Sequence, residues 1–350
     1  MKKNSFLLNL LGIALCCGPV AQIAADSCYP TSASYCDWSF CDGKITLGAD
    51  WLYWQVQEDG LNLGTAETAT PNFGLATDLD KHNTNPKFQY ENGYRVNIGY
   101  ELPCDSWDLD IAYTYMPASA RTPNFSSDDT TTGQFFVNSD SFPILDDFDN
   151  SGIAQGFSGK WDANLNCVDV DMGRTVCFGE CLKIRPHIGF RAAWMDQKLY
   201  ANLFVNVDTT ETVDNLAKMK ETFTGYGVEG GLWGDWQLGC GFSVIGHVGG
   251  SILYSEFNIH QSSLIVTTTG IGSDDVIVAE TTSRLSETIH TGTPTMDYFV
   301  GLQYDDCFCD MLFSMVAGWE QHIIFDANRL STHRGNLVTQ GLTLGMQVGF

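Results

Sequence analysis

The residues with the most to offer chemically are bases that share a face. Lys183, Arg185, His187 and Arg191 all stand at odd positions of one apolar-alternating stretch, so in an extended strand all four project to the same side. The chain has only 18 Lys and Arg in 350 residues, which makes four on one face a concentration. Lining a wet lumen, such a row selects ions by sign. Paired with acids such as Asp108, Asp110, Glu229 or Asp297, the same row is structural, and the residues alone leave both readings open. A second group is acidic: the stretch 117–157 holds Asp128, Asp129, Asp140, Asp146, Asp147 and Asp149 against Arg121. A loop of that length is often functional, here by folding inward to narrow a pore or by binding divalent cations. Asp147 to Gly152 has the start of a calcium loop, but Ser158 stands where the twelfth ligand belongs, so a solvated acidic surface is the simpler expectation.

Enzyme chemistry does not assemble. The seven histidines show no H-x-x-x-H or Cys/His zinc spacing, and no nucleophile elbow or phosphate loop follows a strand. Ser243 and Ser251 flanking His247 leave a barrel hydrolase as a remote alternative. Neither cofactor nor metal is expected. Acids outnumber bases 42 to 18, for a net charge of −24, which argues against nucleic acid as a partner.

These groups need elements to hold them. Lys2 and Lys3, an apolar run from Phe6 to Cys17 and the small residues before Asp26 have the layout of a secretory signal, expected over 1–25. No later apolar run approaches the ~20 residues of a membrane-spanning helix. Alternation of period two is the dominant pattern instead. Leu342, Leu344, Met346, Val348 and Phe350 oppose Gly341, Thr343, Gly345, Gln347 and Gly349, and the chain ends on the aromatic, the pattern of a membrane-insertion signal in a final barrel strand. Tyr94 to Leu102, Trp107 to Tyr115, Leu182 to Trp194, Phe242 to Tyr254, Met296 to Tyr304 and Met311 to Trp319 alternate in the same way, with Trp and Tyr near their ends. Connections alternate too: short near 103–105, 174–180, 235–239 and 305–309, long over 57–86, 117–157, 197–221, 257–293 and 326–336. Short periplasmic turns and long external loops describe a transmembrane antiparallel β-barrel over 44–350, all-β, embedded in outer-membrane lipid, preceded by a Cys-rich segment 26–43. Ten strands are clear. Segments 198–208, 262–269 and 276–290 offer more, giving an expected even total of 12 to 16.

That parity map places the cysteines. Cys28, Cys36 and Cys41 precede the first strand; Cys104, Cys177, Cys181, Cys307 and Cys309 fall in or beside short turns; Cys240 follows one, and Cys167 lies in the inner half of its strand. None falls in a long external loop, and an exported chain is expected to form disulfides. They would staple the periplasmic rim or cross-link to neighbouring copies and cysteine-rich envelope proteins. Cys307 and Cys309 are too close for an easy mutual bond, so at least one is expected to seek a distant partner.

Several stretches resemble the Legionella- and Chlamydia-type major outer-membrane porins: Gly48-Ala49-Asp50-Trp51-Leu52-Tyr53-Trp54, Gly93 to Tyr100 with Trp107-Asp108-Leu109, Val170 to Arg174 leading into Arg185 to Trp194, Gly225 to Gly231, and Gly318-Trp319-Glu320 before Gln340 to Thr343. The likeness covers about half the exported chain, all strands and turns. It implies a pore-forming barrel for small hydrophilic solutes and ions, compatible with a homo-oligomer. A structural or adhesive surface barrel with little transport is the alternative. With Lys183, Arg185, His187 and Arg191 on the lumen, checked by Asp108, Asp110 and Asp297, ion preference is expected to lean to anions.

Overall fold

Ten long strands, each hydrogen-bonded to the next along the chain, close on themselves: β1 (Lys44–Glu58), β2 (Tyr90–Glu101), β3 (Trp107–Arg121), β4 (Ile153–Arg174), β5 (Leu182–Asn206), β6 (Glu211–Gly239), β7 (Phe242–Ile271), β8 (Asp274–Phe308), β9 (Met311–Asn328) and β10 (Gly335–Gly349). Every neighbour is antiparallel, and β1 completes the ring on β10 with pairs from Thr46↔Gly349 to Glu58↔Leu337. This computed structural model describes residues 43–62, 64–72, 76–83, 85–103, 107–126, 132–137, 153–178, 181–206, 211–271, 274–308, 311–331 and 334–350. The expected signal, Cys28, Cys36, Cys41, Cys104, Cys309, the acidic run Asp128 to Asp149 and the calcium-like stretch lie outside the described residues. Among the described residues no helix is long and apolar enough to cross a membrane.

The closed antiparallel barrel is as expected; the strand number is not. Ten strands form the wall, not 12 to 16. Of the extra segments, 198–206, 262–269 and 276–290 are the far ends of β5, β7 and β8, which run on well past the apolar zone, and 207–208 lie outside the described residues. They read as separate strands because their outward residues turn polar, which breaks the alternation without breaking the strand. A separate three-stranded sheet joins residues 64–72, 76–83 and 132–137 at the long-loop end.

The wall changes phase partway up. On β1, Ile45, Leu47, Trp51 and Tyr53 are exposed outward while Thr46, Gly48 and Asp50 face in. From Leu52 upward the order inverts: Leu52, Trp54 and Val56 are buried inside, and Gln55 and Gln57 face out. The other strands follow. β4 buries Phe157, Trp161 and Leu165 above an exposed Met172, and β5 buries Met195, Leu199 and Leu203 above exposed Ile188, Phe190 and Trp194. The outward apolar zone of β1, Ile45 to Tyr53, covers about 26 Å of strand at ~3.3 Å per residue, enough for a tilted strand to cross a thin hydrocarbon layer. Trp51, Tyr94, Trp194, Tyr226, Tyr254 and Trp319 belt its upper edge. At the other end the turns are tight: Gly239, Cys240 and Gly241 all have positive φ (102°, 55° and 83°), a backbone that two glycines make easy and the non-glycine Cys240 adopts between them.

Candidate functional site

The interior has two storeys. The lower one, level with the outward apolar zone, is a polar chamber of about 450 Å³ whose lining includes eight carboxylates and four Lys or Arg. Inward positions of β1 to β6, β8 and β9 supply its charges because the period-two wall hides every second residue from lipid. Arg191 on β5 reaches Asp169 on β4 (2.6 Å), Glu229 on β6 (3.1 Å) and, across the chamber, Asp297 on β8 (2.6 Å). His322 on β9 lies between Asp297 (2.6 Å) and Glu320 (2.9 Å). Glu320 in turn meets Arg95 on β2 (2.7 Å), which also reaches Asp50 at 3.4 Å. A second cluster joins Arg185 to Asp108, Asp110 (2.9 Å) and Asp171 (2.6 Å). The carboxylates Asp108, Asp110 and Asp171 lie close enough together to hold a metal ion, but the Arg185 guanidinium already occupies the space between them.

The upper storey is a packed apolar core. Leu52, Met116, Trp161, Leu199, Phe223, Phe257, Ile324 and Leu337 come from eight of the ten strands and are buried together. Trp54 forms the boundary: its ring lies 5.6 Å from the Arg95 guanidinium and 5.0 Å from His322, and its indole N–H donates to Thr343 Oγ1 (3.1 Å). One polar chain crosses this core. Trp161 Nε1 donates to Gln197 Oε1 (2.8 Å), and Gln197 Nε2 donates to Glu58 Oε1 (3.1 Å) and Glu221 Oε1 (3.3 Å). Because β1 and β5 lie four strands apart in a ring of ten, the Glu58–Gln197 bond spans the interior. Glu58 and Glu221 lie above the lipid zone. Burial pushes Glu221 up to about 8, and burial with Glu221 beside it raises Glu58 well above the usual carboxyl range.

The end of β9 and the turn after it pack onto this core through Ala327 and Leu330. Asp326 takes a positive φ of 54°, Leu330 is wholly buried, and Arg329 N–H donates to Glu221 Oε2 (2.8 Å). Asn328 Nδ2 donates to the Asp59 carbonyl (2.7 Å) and Gln261 Nε2 to the Leu330 carbonyl (2.9 Å), tying three strands to the turn.

Each base singled out from the sequence does face inward, and so do Asp108, Asp110 and Asp297. Yet Arg185 and Arg191 are held by the acids named as their alternative partners, so the row is not a free basic surface. The chamber lining holds eight carboxylates against four Lys or Arg and three His. His187 and His247 stack (5.2 Å), and His247 lies over Trp233 (4.5 Å). Ser251 bonds Thr295 (2.7 Å) and not His247, so the hydrolase grouping does not form among the described residues. Cys177, Cys181, Cys240 and Cys307 stand at the short-turn rim, where Cys307 is disulfide-bonded and Cys177 and Cys181 are free thiols. Cys167 faces in and donates to Asp169 Oδ1 (3.3 Å). Phe350 is exposed at the lipid-facing foot of the wall, its backbone paired with Ile45 (2.9 Å). Sequence reasoning missed the apolar core and Trp54; the signal for both was the inversion of alternation at Leu52.

Residues 42–349 match the family described as Legionella pneumophila major outer membrane protein precursor. No curated protein matches the sequence. Similar solved structures include the outer membrane protease OmpT from Escherichia coli (8% identity, 88% of this chain and 96% of that one, TM-score 0.41). A major outer membrane protein from Thermus thermophilus (12% identity, 88% and 100%, TM-score 0.30) and the Pseudomonas putida toluene transporter TodX (7% identity, 88% and 89%, TM-score 0.27) are others.

Proposed function

Because the chain belongs to the Legionella major outer membrane protein family, we propose that it works in the outer membrane as a barrel that is closed at rest, anchoring an extended external wall and tying it to the envelope. The observation that carries this reading is the core from Leu52 to Leu337, in which side chains from eight of the ten strands pack together above the chamber and Gln197 bridges opposite walls. Ten-stranded walls are narrow enough for side chains to fill, whereas 16-stranded ones leave an aqueous channel. The thiols Cys177 and Cys181 at the periplasmic rim support a role in cross-linking to neighbouring copies or cysteine-rich envelope proteins. Non-reducing electrophoresis of native envelopes tests that part: bands above the monomer that collapse with reductant are expected, and a monomer unchanged by reductant would count against it.

Passive diffusion of small hydrophilic solutes is the second reading, favoured by the charged, water-compatible chamber. Passage then requires the core to move aside. Planar-bilayer recording of refolded protein separates the two. The closed reading expects no steady conductance at low voltage from the natural sequence, and conductance in a Phe223→Ala/Phe257→Ala variant. Stable open-channel currents from the unaltered protein would establish the porin instead.

A further inference from the structure

The outer wall above the aromatic belt carries a charge pattern that the chamber and core do not use. Lys87, Arg121, Lys160, Lys198, Lys218 and Lys220 all stand there, in a chain whose net charge is −24. The register makes them neighbours: Lys87 pairs with Arg121, Arg121 with Lys160, Lys160 with Tyr200 and Tyr200 with Lys218, while Lys198 pairs with Lys220 one row below. The interleaved acids are Asp162, 2.6 Å from Lys160, and Asp196, 4.0 Å from Lys220. Arg284 on β8 extends the upper row, since Lys218 pairs with Ser262 and Ser262 with Arg284. The outward residues of β7 and β8 also include Glu256, His260 and His290, whereas on β1, β2, β9 and β10 amides such as Gln55, Gln57, Asn92, Gln321 and Gln340 stand there, and among the described residues those four strands present no outward Lys or Arg at this height. The bases therefore form one sector of the wall, from the short strand Lys87–Phe88 across β3 to β6 and on to Arg284 of β8.

The sector is also concave. Arg121, Lys160, Tyr200 and Lys218 line a hollow of about 400 Å³ with the amides of Asn124 and Asn202 and the hydroxyl of Ser158. Lys218 Nζ lies 5.7 Å from the Tyr200 ring. Height decides what meets it. Lys198 is four residues above the belt residue Trp194, about 13 Å along a tilted strand, and Lys stems reach back toward the membrane surface. The row of the hollow stands two residues higher, so even after tilt it lies above the roughly 5–8 Å interfacial layer of an ordinary bilayer, and only a headgroup that stands tall over the acyl chains reaches it.

We propose that this sector binds the phosphorylated saccharide headgroups of outer-leaflet glycolipid. Phosphate oxygens meet the ammonium and guanidinium groups, and the sugar fills the amide- and Tyr-lined hollow. The amide-rich faces of β1, β2, β9 and β10 have no equivalent. Bound lipid would fix the barrel's rotation relative to its neighbours on one side only.

The probe is purified lipopolysaccharide, titrated into the full chain refolded in zwitterionic detergent. Each Lys beside an anionic surface is worth about fivefold in affinity, so Lys160→Gln/Lys198→Gln/Lys218→Gln is expected to weaken binding roughly a hundredfold. Arg334→Gln, at the rim and outside the sector, is expected to leave it unchanged. The natural sequence should lose affinity to a similar degree when the lipid is dephosphorylated, an arm that stands even if the triple variant does not refold. Undiminished binding by a folded triple variant, or equal binding of intact and dephosphorylated lipid, would overturn the proposal. So would displacement by inorganic phosphate at matched phosphate concentration, which marks a free-phosphate site, or tighter binding of sulfated polysaccharide than of lipid.

Discussion

Arg191 holds three carboxylates from three different strands with a single guanidinium, and its side chain is only 12% exposed. Removing one partner of a buried pair leaves the others desolvated and unpaired, which costs about 3–5 kcal/mol. Arg191→Gln is therefore expected to destabilise the barrel by that amount in urea unfolding from detergent micelles. Lys160 offers the contrast. Its bond to Asp162 is exposed to solvent on both sides, so Lys160→Ala should cost under about 1 kcal/mol. Equal losses for the two substitutions would mean that the chamber is wetter than its packing implies. The partners of Arg185 and Arg191 were partly legible beforehand, because parity put Asp108, Asp110, Glu229 and Asp297 on the same side as the bases. That Arg191 would reach Asp297 rather than a nearer acid was not, since strand tilt and barrel radius decide which inward residues meet across the lumen.

At the scale of elements, the turn of residues 326–331 and the carboxyl pair beneath it act together. Glu221 accepts from Arg329 N–H and from Gln197, and its folded-state carboxyl titrates at about 8 against an ordinary 4.5. A raised acid keeps its proton in the folded state over a range where the unfolded chain has lost it, so stability falls as pH rises between those values. The upper core should thus be tightest below about pH 5, loosen progressively from there to about 8, and change little above that. Limited proteolysis at the 326–331 turn measures this: cleavage is expected to accelerate from pH 6 to 8 in the natural sequence and to depend less on pH in Glu221→Gln. A profile unaffected by that substitution would locate the titrating group elsewhere. The strands themselves were largely readable, since Tyr94 to Tyr100 or Leu342 to Phe350 can satisfy lipid on one face only. The upper storey was not read, although β1 writes it plainly: even positions go from Thr46, Gly48 and Asp50 to Leu52, Trp54 and Val56. Where the two phases overlap, Trp51 to Trp54 is apolar on both faces, and a single alternating template stops there. The same overlap made the far halves of β5, β7 and β8 look like loops or spare strands.

For the whole molecule, the question is which ions would pass if the core were opened. The net charge of −24 sits largely outside the lumen, and exposed charges more than about 10 Å away are screened at 0.1 M salt. Inside a narrow low-dielectric wall the local charges count for more. There the chamber has eight carboxylates against four Lys or Arg, and the guanidiniums of Arg185 and Arg191 are each shared among three acids. A cation entering from the periplasmic side finds incompletely neutralised carboxylate, whereas an anion finds the guanidiniums of Arg95, Arg185 and Arg191 already engaged. The Phe223→Ala/Phe257→Ala variant, held in a salt gradient, is accordingly expected to give a reversal potential of cation-selective sign, opposite to the preference that the basic row alone suggests. Adding Asp171→Asn and Asp235→Asn should move that potential toward zero, because each removes a negative charge from the chamber wall while leaving Arg191 and its partners intact. An anion-selective potential in the opened barrel would mean that the permeation path avoids the chamber wall and follows Lys183 and the rim.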